Sequence, residues 1–214
     1  MTDPNEQDHS WLNELSTDSQ EIGKYYDDWA GDYDQTLAQW NYQSPLVVAE
    51  LLHQRVSLDD PILDAGCGTG LSGQALNAVG FRHITGTDLS QTSLDIAAQS
   101  GVYERLMQVN MQQLPLPGDA DEFAGVVCVG VLTYLPDADG LMREFCRAVR
   151  PGGLVVFTQR DDLFHERDFP GVLQGLEDAG IWEKISISEP QLYLPGNAEF
   201  SDKIKVIYSV FRCK

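Results

Sequence analysis

Ile62-Leu63-Asp64-Ala65-Gly66-Cys67-Gly68-Thr69-Gly70 is the stretch on which the fold turns. A short apolar run over 61–65 ends in glycines at alternate positions. Leu71–Val79 follows with helical spacing of its apolar residues. Glycines carry no Cβ wall, so their backbone can approach a flat or bulky ligand closely. A loop of this kind between a strand and a helix marks the carboxyl edge of an open parallel sheet, where such sheets bind ligands.

The next strand-like run, His83-Ile84-Thr85-Gly86-Thr87-Asp88, ends in an acid. A carboxylate at that place can accept hydrogen bonds from both hydroxyls of a ribose. This serves a nicotinamide dinucleotide and S-adenosylmethionine (AdoMet) equally, and the loop spacing separates the two. Dinucleotide loops read GxGxxG, with the pyrophosphate on the helix N-terminus. This chain reads GxGxG, with Leu71 where the third glycine of that fingerprint would fall. Asp64, just ahead of the glycines, would repel a pyrophosphate and attract the ammonium and sulfonium of AdoMet.

Outward from this centre, strand-like and helix-like segments alternate. Ser90 is placed to cap a helix over Gln91–Gln99, and 105–110 reads as a third strand. Residues 122–130 are apolar almost throughout, as in a central strand buried on both faces. An amphipathic helix over 137–149 is stopped by Arg150-Pro151-Gly152-Gly153, and 154–159 forms a fifth strand. The alternation predicts βαβ units and a parallel sheet with helices on both faces. A helix follows over 170–179. Two β-prone runs, 183–194 and 203–212, then have no helix between them and are expected as antiparallel neighbours at the sheet edge. Upstream, Tyr26, Trp29 and Tyr33 share one helical face, and 45–56 reads as a helix with Ser44 as its cap. Residues 1–20 are expected to form a flexible acidic segment. Residues 21–214 would be one domain, with 21–45 as a lid helix region.

Composition narrows the partners. The chain has 214 residues, 33 acidic against 14 basic side chains and a formal net charge of −19. Such a field repels a phosphate backbone, so nucleic acid is not an expected partner. No apolar run approaches membrane-spanning length, and the start is polar and acidic rather than leader-like, so a cytoplasmic address is expected. Cys67, Cys128, Cys146 and Cys213 form no CxxC pair and have no histidine at ligand spacing. They are expected as four reduced, buried thiols, with no metal site and no disulfide framework.

On these residues the chain resembles the class I AdoMet-dependent methyltransferases. Asp64-Ala-Gly-Cys-Gly-Thr-Gly70 is similar to that family's first motif, Asp88 to its ribose-binding acid, and 149–157 to its helix–turn–strand segment. The residues Tyr25-Tyr-Asp-Asp-Trp-Ala-Gly-Asp-Tyr-Asp34 also resemble a small group related to the Williams–Beuren syndrome region methyltransferase-like protein. The resemblance spans residues 25–212. It implies a Rossmann-like α/β fold: a seven-stranded, mostly parallel sheet with an antiparallel last strand and helices on both faces. It implies AdoMet as cofactor and S-adenosylhomocysteine as product.

The roles it implies run residue by residue. Asp64, Ala65, Gly66, Cys67, Gly68 and Gly70 would form the cofactor loop. The backbone of Gly66 and Gly68 would line the methionine portion, and Asp64 would hold its amino group through water. Asp88 would bind the ribose, and Leu89 would pack on the adenine. Asn110 and Met111 would meet the adenine edge, with Asn110 where many relatives carry Asp. Gly130 would run beneath the methyl, and Tyr25 and Tyr33 would close over the cofactor.

Methyl transfer from an activated donor needs alignment and exclusion of water, and a base only if the nucleophile must lose a proton. Tyr134, Arg160, Asp161 and His165 are the candidates near the mouth. His165 and Tyr134 are the catalytic candidates, with a solvated loop histidine as the competing reading of His165. Val131-Leu-Thr-Tyr-Leu-Pro136 replaces the [DNS]-P-P-[YFW] motif of amino-methylating nucleic-acid enzymes, and no Pro-Cys nucleophile pair occurs. The acceptor is therefore expected to be a small molecule. Its pocket would be drawn from residues before about 45, 160–170 and 190–202, in a monomer or homodimer. Two other readings compete: a catalytically silent AdoMet-binding regulatory module, and a nicotinamide-dependent oxidoreductase.

Overall fold

The computed structural model describes residues 16–214. Most of the expected flexible segment lies outside the described residues. Its last part is already ordered: α1 runs Ser19–Gln39, and the Asp18 carboxylate caps it by accepting from the amides of Gln20 and Glu21. The N-terminal amides of a helix have no internal partner, so an Asp at this position satisfies two of them.

The alternation expected from the sequence is present. After α2 (Ser44–His53) come β1 (Ile62–Ala65), α3 (Leu71–Val79), β2 (Ile84–Asp88), α4 (Gln91–Gln99), β3 (Arg105–Gln108) and β4 (Phe123–Cys128). A single 3-10 turn, Leu132–Tyr134, leads to α5 (Ala138–Ala148) and β5 (Val149–Arg160). The chain continues through α6 (Asp161–Glu166), α7 (Phe169–Asp178), β6 (Trp182–Ile187), β7 (Gln191–Leu192) and β8 (Lys205–Cys213). Strands pair in the order β3-β2-β1-β4-β5-β8-β6. The first five are parallel, and β8 runs antiparallel between β5 and β6.

Side chains alternate between the two faces, which is why the central strands read as continuous apolar runs. Leu63, Val155 and Phe157 face one core with Phe145 of α5 and Leu173 of α7. Ile62, Leu154 and Val156 face the other with Leu52 of α2 and Leu76 of α3. A third cluster roofs the carboxyl ends of the strands. There Trp29, Leu37 and Trp40 meet Leu194, Phe200 and Ile204.

Four details differ from the sequence reading. The run 183–194 divides into β6 and β7 around Pro190, which has no N–H to give a ladder. Residues 161–166 form a short helix rather than a loop. Ser44 is not the cap of α2, because it lies inside the helix and its hydroxyl shares a hydrogen bond with Tyr208. Finally, Cys146 of α5 and Cys213 of β8 are joined by a disulfide, their Cα atoms 5.4 Å apart across a separation of 67 residues. The expectation of four thiols is corrected to two, the buried Cys67 and Cys128. Sequence spacing cannot show this pair, because only the reversed insertion of β8 brings its end to α5. Among the described residues no helix is long and apolar enough to cross a membrane.

Candidate active site

A cleft opens where β1, β2 and β4 end, with about 780 Å³ of empty space counted together with the open solvent at its mouth. The glycine loop forms its floor. Gly66 has φ +79°, and a Cβ there would overlap the Val131 side chain. The loop therefore needs glycine both for its conformation and for its contact with the turn after β4. Gly68 also has a positive φ and looks into open space.

Asp88 ends β2 with both carboxylate oxygens engaged on one side. Oδ2 accepts from the Gly68 amide at 2.8 Å, and Oδ1 accepts from the Ser90 amide at 2.9 Å. These bonds fix the carboxylate against the loop and leave its remaining lone pairs toward the cleft, which Asp88 lines. Burial pushes its pKa up, and the two amides oppose that.

Asp64 lies one layer deeper and is fully buried. Its Oδ2 accepts from the Ser72 hydroxyl at 2.6 Å and the Tyr103 hydroxyl at 2.7 Å, whereas its Oδ1 has no partner. Desolvation raises its pKa to about 6, against the two hydroxyl bonds. An orphaned buried carboxylate oxygen behind the glycine loop fits a ligand that brings positive charge and donors, as the amino group of AdoMet does.

α1 closes the other side. The Ser90 and Thr69 hydroxyls donate to Asp27 and Asp34 on this helix, which ties it to the ends of β1 and β2. Gln112 Nε2 donates to the carbonyls of Thr17 and Tyr134, joining the start of α1 to the 3-10 turn.

Several expected site residues line the cleft: Gly66, Gly68, Asp88, Leu89, Asn110, Met111, Gly130, Tyr33 and Tyr134. The Asn110 Oδ1 already accepts from the Gln112 amide, which turns the side chain back on its own loop. Ala65, Cys67 and Gly70 shape the loop from behind without lining it. Burial pushes the Cys67 thiol far up, so it is no nucleophile. Tyr25 lines neither cavity but packs against Tyr26 and Trp29, and Tyr26 lines the cleft. His165 lies exposed in the last turn of α6 and lines neither cavity, so the geometry does not bring it to the reacting centre.

Beyond the cleft lies a second, smaller hollow. Tyr26, Tyr33, Gly130 and Tyr134 line both. A Cβ on Gly130 would sit 3.2 Å from the Tyr42 hydroxyl and 3.3 Å from that of Tyr193. The far walls are Trp29, Trp40, Tyr42, Tyr193, Phe200 and Arg160. Tyr42, Tyr193 and Phe200 escaped the sequence reading, because nothing near them in the chain marks them as facing a cavity.

Comparison with known proteins gives the family. A family model described as a methyltransferase domain matches residues 63–157. Human methyltransferase-like protein 27 is 37% identical over 175 residues, covering 75% of this chain and 68% of that protein. The chain belongs to the class I AdoMet-dependent methyltransferases. The ubiquinone biosynthesis O-methyltransferase of Bordetella avium is 36% identical over 101 residues, 45% of this chain and 41% of that protein, so only part of that relative is spanned. Among solved structures, a geranyl diphosphate methyltransferase in complex with AdoMet superposes with a TM-score of 0.65 at 15% identity, covering 86% of this chain and 91% of that one. At that identity the likeness concerns the fold. As in the rest of this family, the cofactor is AdoMet. The glycine cradle, the Asp88 carboxylate and the orphaned Asp64 oxygen are the features that fit it.

Proposed function

We propose that the protein transfers the methyl group of AdoMet to a small-molecule acceptor seated in the aromatic hollow. The observation that carries this reading is the shared lining: Gly130, Tyr26, Tyr33 and Tyr134 belong to both cavities. A donor in the cleft and an acceptor in the hollow would meet there, out of bulk water. The ubiquinone relative, whose name gives it a small-molecule product, supports a small acceptor.

In this reading Asp88 holds the ribose hydroxyls, Leu89 and Met111 pack on the adenine, and Asn110 meets its edge. The amides of the glycine loop line the methionine portion. Asp64 attracts its ammonium, as opposite charges do strongly in a buried setting. AdoMet supplies an already activated methyl group. The protein's share is to align the two partners and keep water out. α1 performs the second task through its roof of aromatic rings.

Calorimetry with AdoMet, S-adenosylhomocysteine and NAD tests the reading, with Asp88→Ala as control. Micromolar binding of the two adenosyl ligands, lost in the variant and absent for NAD, is the expected result. S-adenosylhomocysteine formed in the presence of an acceptor then excludes a silent binding module. Binding of NAD instead would overturn the reading.

A further inference from the structure

The walls of the hollow say what kind of acceptor it takes, given its role as acceptor site. They are rings on almost every side, and among the described residues that line it there is no carboxylate, imidazole, amine or thiol. A planar aromatic molecule fills such a space by stacking and edge contacts. No side chain there can act as an ordinary general base, so the acceptor atom must ionise readily by itself.

The polar side chains of the lining are hydroxyls and one guanidinium, Arg160, which the Asp162 carboxylate pairs from outside the lining. Arg160 is 9% exposed and is the cationic side chain of the lining. Tyr26 donates to Tyr134 at 3.0 Å across the neck, and Tyr42 and Tyr193 share a hydrogen bond beside Gly130. Burial holds these phenols neutral, with Tyr193 pushed up to about 12, so they remain hydrogen-bond donors at ordinary pH. A cationic acceptor, or an amine whose methylation leaves a cation, would face Arg160. A permanent anion such as a carboxylate or phosphate would have to enter against the field of a chain of net charge −19.

We infer that the acceptor is a neutral aromatic compound bearing an acidic hydroxyl, methylated on oxygen as its phenolate, with Arg160 and the tyrosine hydroxyls holding the developing anion. The hydroxyl loses its proton to bulk water before the acceptor is closed in against the donor. The phenolate oxygen then forms its bond to the methyl carbon as the carbon–sulfur bond breaks, and that electron pair stays on sulfur. Sulfonium and phenolate become a thioether and a methyl ether, so atoms and charge balance. Arg160 is held in place by Asp162, which accepts from its Nε at 3.1 Å and its Nη2 at 2.6 Å.

The test needs no turnover. Para-nitrophenol reports its own ionisation by absorbance, so it is titrated against the full chain without cofactor, beside nitrobenzene and phenyltrimethylammonium. The expected result is a probe pKa lowered by about one unit, meaning phenolate bound about tenfold tighter than phenol. Arg160→Gln should abolish that preference and Arg160→Lys should keep most of it. Thermal melting of each variant separates a lost site from a lost fold. Tighter binding of phenyltrimethylammonium, binding of the neutral forms alone, or no binding of any probe to folded protein would each overturn the inference. AdoMet calorimetry on the same preparation keeps the two readings apart. If AdoMet binds and the probes do not, the acceptor class fails and the methyltransferase reading stands. If AdoMet itself does not bind, the reading beneath it fails.

Discussion

The cofactor cleft and the aromatic hollow share four residues, yet they are built in opposite ways. The cleft is local. Its loop, its acid and its adenine edge each follow the end of one strand, so a few contiguous residues fix each element. The hollow is distributed. Its walls come from α1, the turn after β4, the end of β5 and the segment 193–204, which meet only when the chain is folded. Parallel strand ends give a fixed geometry to which short loops can commit, whereas a substrate wall can be assembled from whatever the fold brings near.

The sharpest way to break this comparison is Asp88→Ala. If Asp88 holds two ribose hydroxyls as proposed, its removal should cost about 3 kcal/mol, on the order of 100-fold in AdoMet affinity by calorimetry. Para-nitrophenol binding in the hollow should change less than about twofold, because Asp88 lines the cleft and not the hollow. An equal loss of both would show that the two regions are one cooperative unit. Next in size is Gly130→Ala, aimed at the junction. Gly130 has φ +76°, and its Cβ would press on both the Tyr42 and Tyr193 hydroxyls. Turnover should fall about tenfold or more, because a backbone strain of ~1–2 kcal/mol is added where the two ligands must align. Separate binding of AdoMet and of the phenol should survive. Loss of AdoMet binding alone would place Gly130 with the cleft rather than at the joint.

This contrast explains what was legible in the sequence. The glycine loop, Asp88, Leu89 and Asn110 could be placed because strand ends and hydrophobic period locate them without tertiary knowledge. The segments that wall the hollow were legible as segments but not as side chains. Along α1 the shared face of Tyr26, Trp29 and Tyr33 was legible from their spacing, whereas which of the adjacent Tyr25 and Tyr26 lines a cavity depends on what the helix packs against. His165 looked chemically suited, but α6 turns it to solvent. Tyr103 was invisible for another reason. It reaches Asp64 only because Gly73 and Gly86 leave it room. The disulfide between Cys146 and Cys213 likewise depends on the strand order and not on spacing.

Asp64 offers a sharper test of the cleft, because two pH dependences of opposite sign should come from one residue. Its folded pKa of about 6 stands above the ordinary 3.8. Between those values the folded state binds more protons than the unfolded one, so Asp64 makes the protein less stable as pH rises through this window. The ionised form is also the one that attracts the ammonium of AdoMet. Affinity should therefore increase as pH rises through about 6, by up to about tenfold. Melting and calorimetry from pH 4 to 8 measure the two slopes. Asp64→Asn should flatten both, with a residual slope from Asp88, whose pKa is also raised by burial. If affinity kept its full slope in the variant, the cofactor's charge would be met by Asp88 and not by Asp64.

The smallest effect belongs to the neck. Tyr26→Phe removes one hydroxyl and its bond to Tyr134 while keeping the ring contacts, 5.8 Å between centroids to Tyr134 and 6.1 Å to Tyr33. One such bond contributes about 1 kcal/mol, so phenol binding should weaken by roughly fivefold. AdoMet affinity should stay nearly constant, since the aromatic face of α1 that covers the cleft is unchanged. Tyr26 lines both cavities, so this variant asks which of them its polar end serves. A loss confined to the phenol would assign the hydroxyl to the hollow and the ring to the roof. A loss confined to AdoMet would show that the neck belongs to the cofactor, and the boundary between the local and the distributed site would move one helical turn along α1.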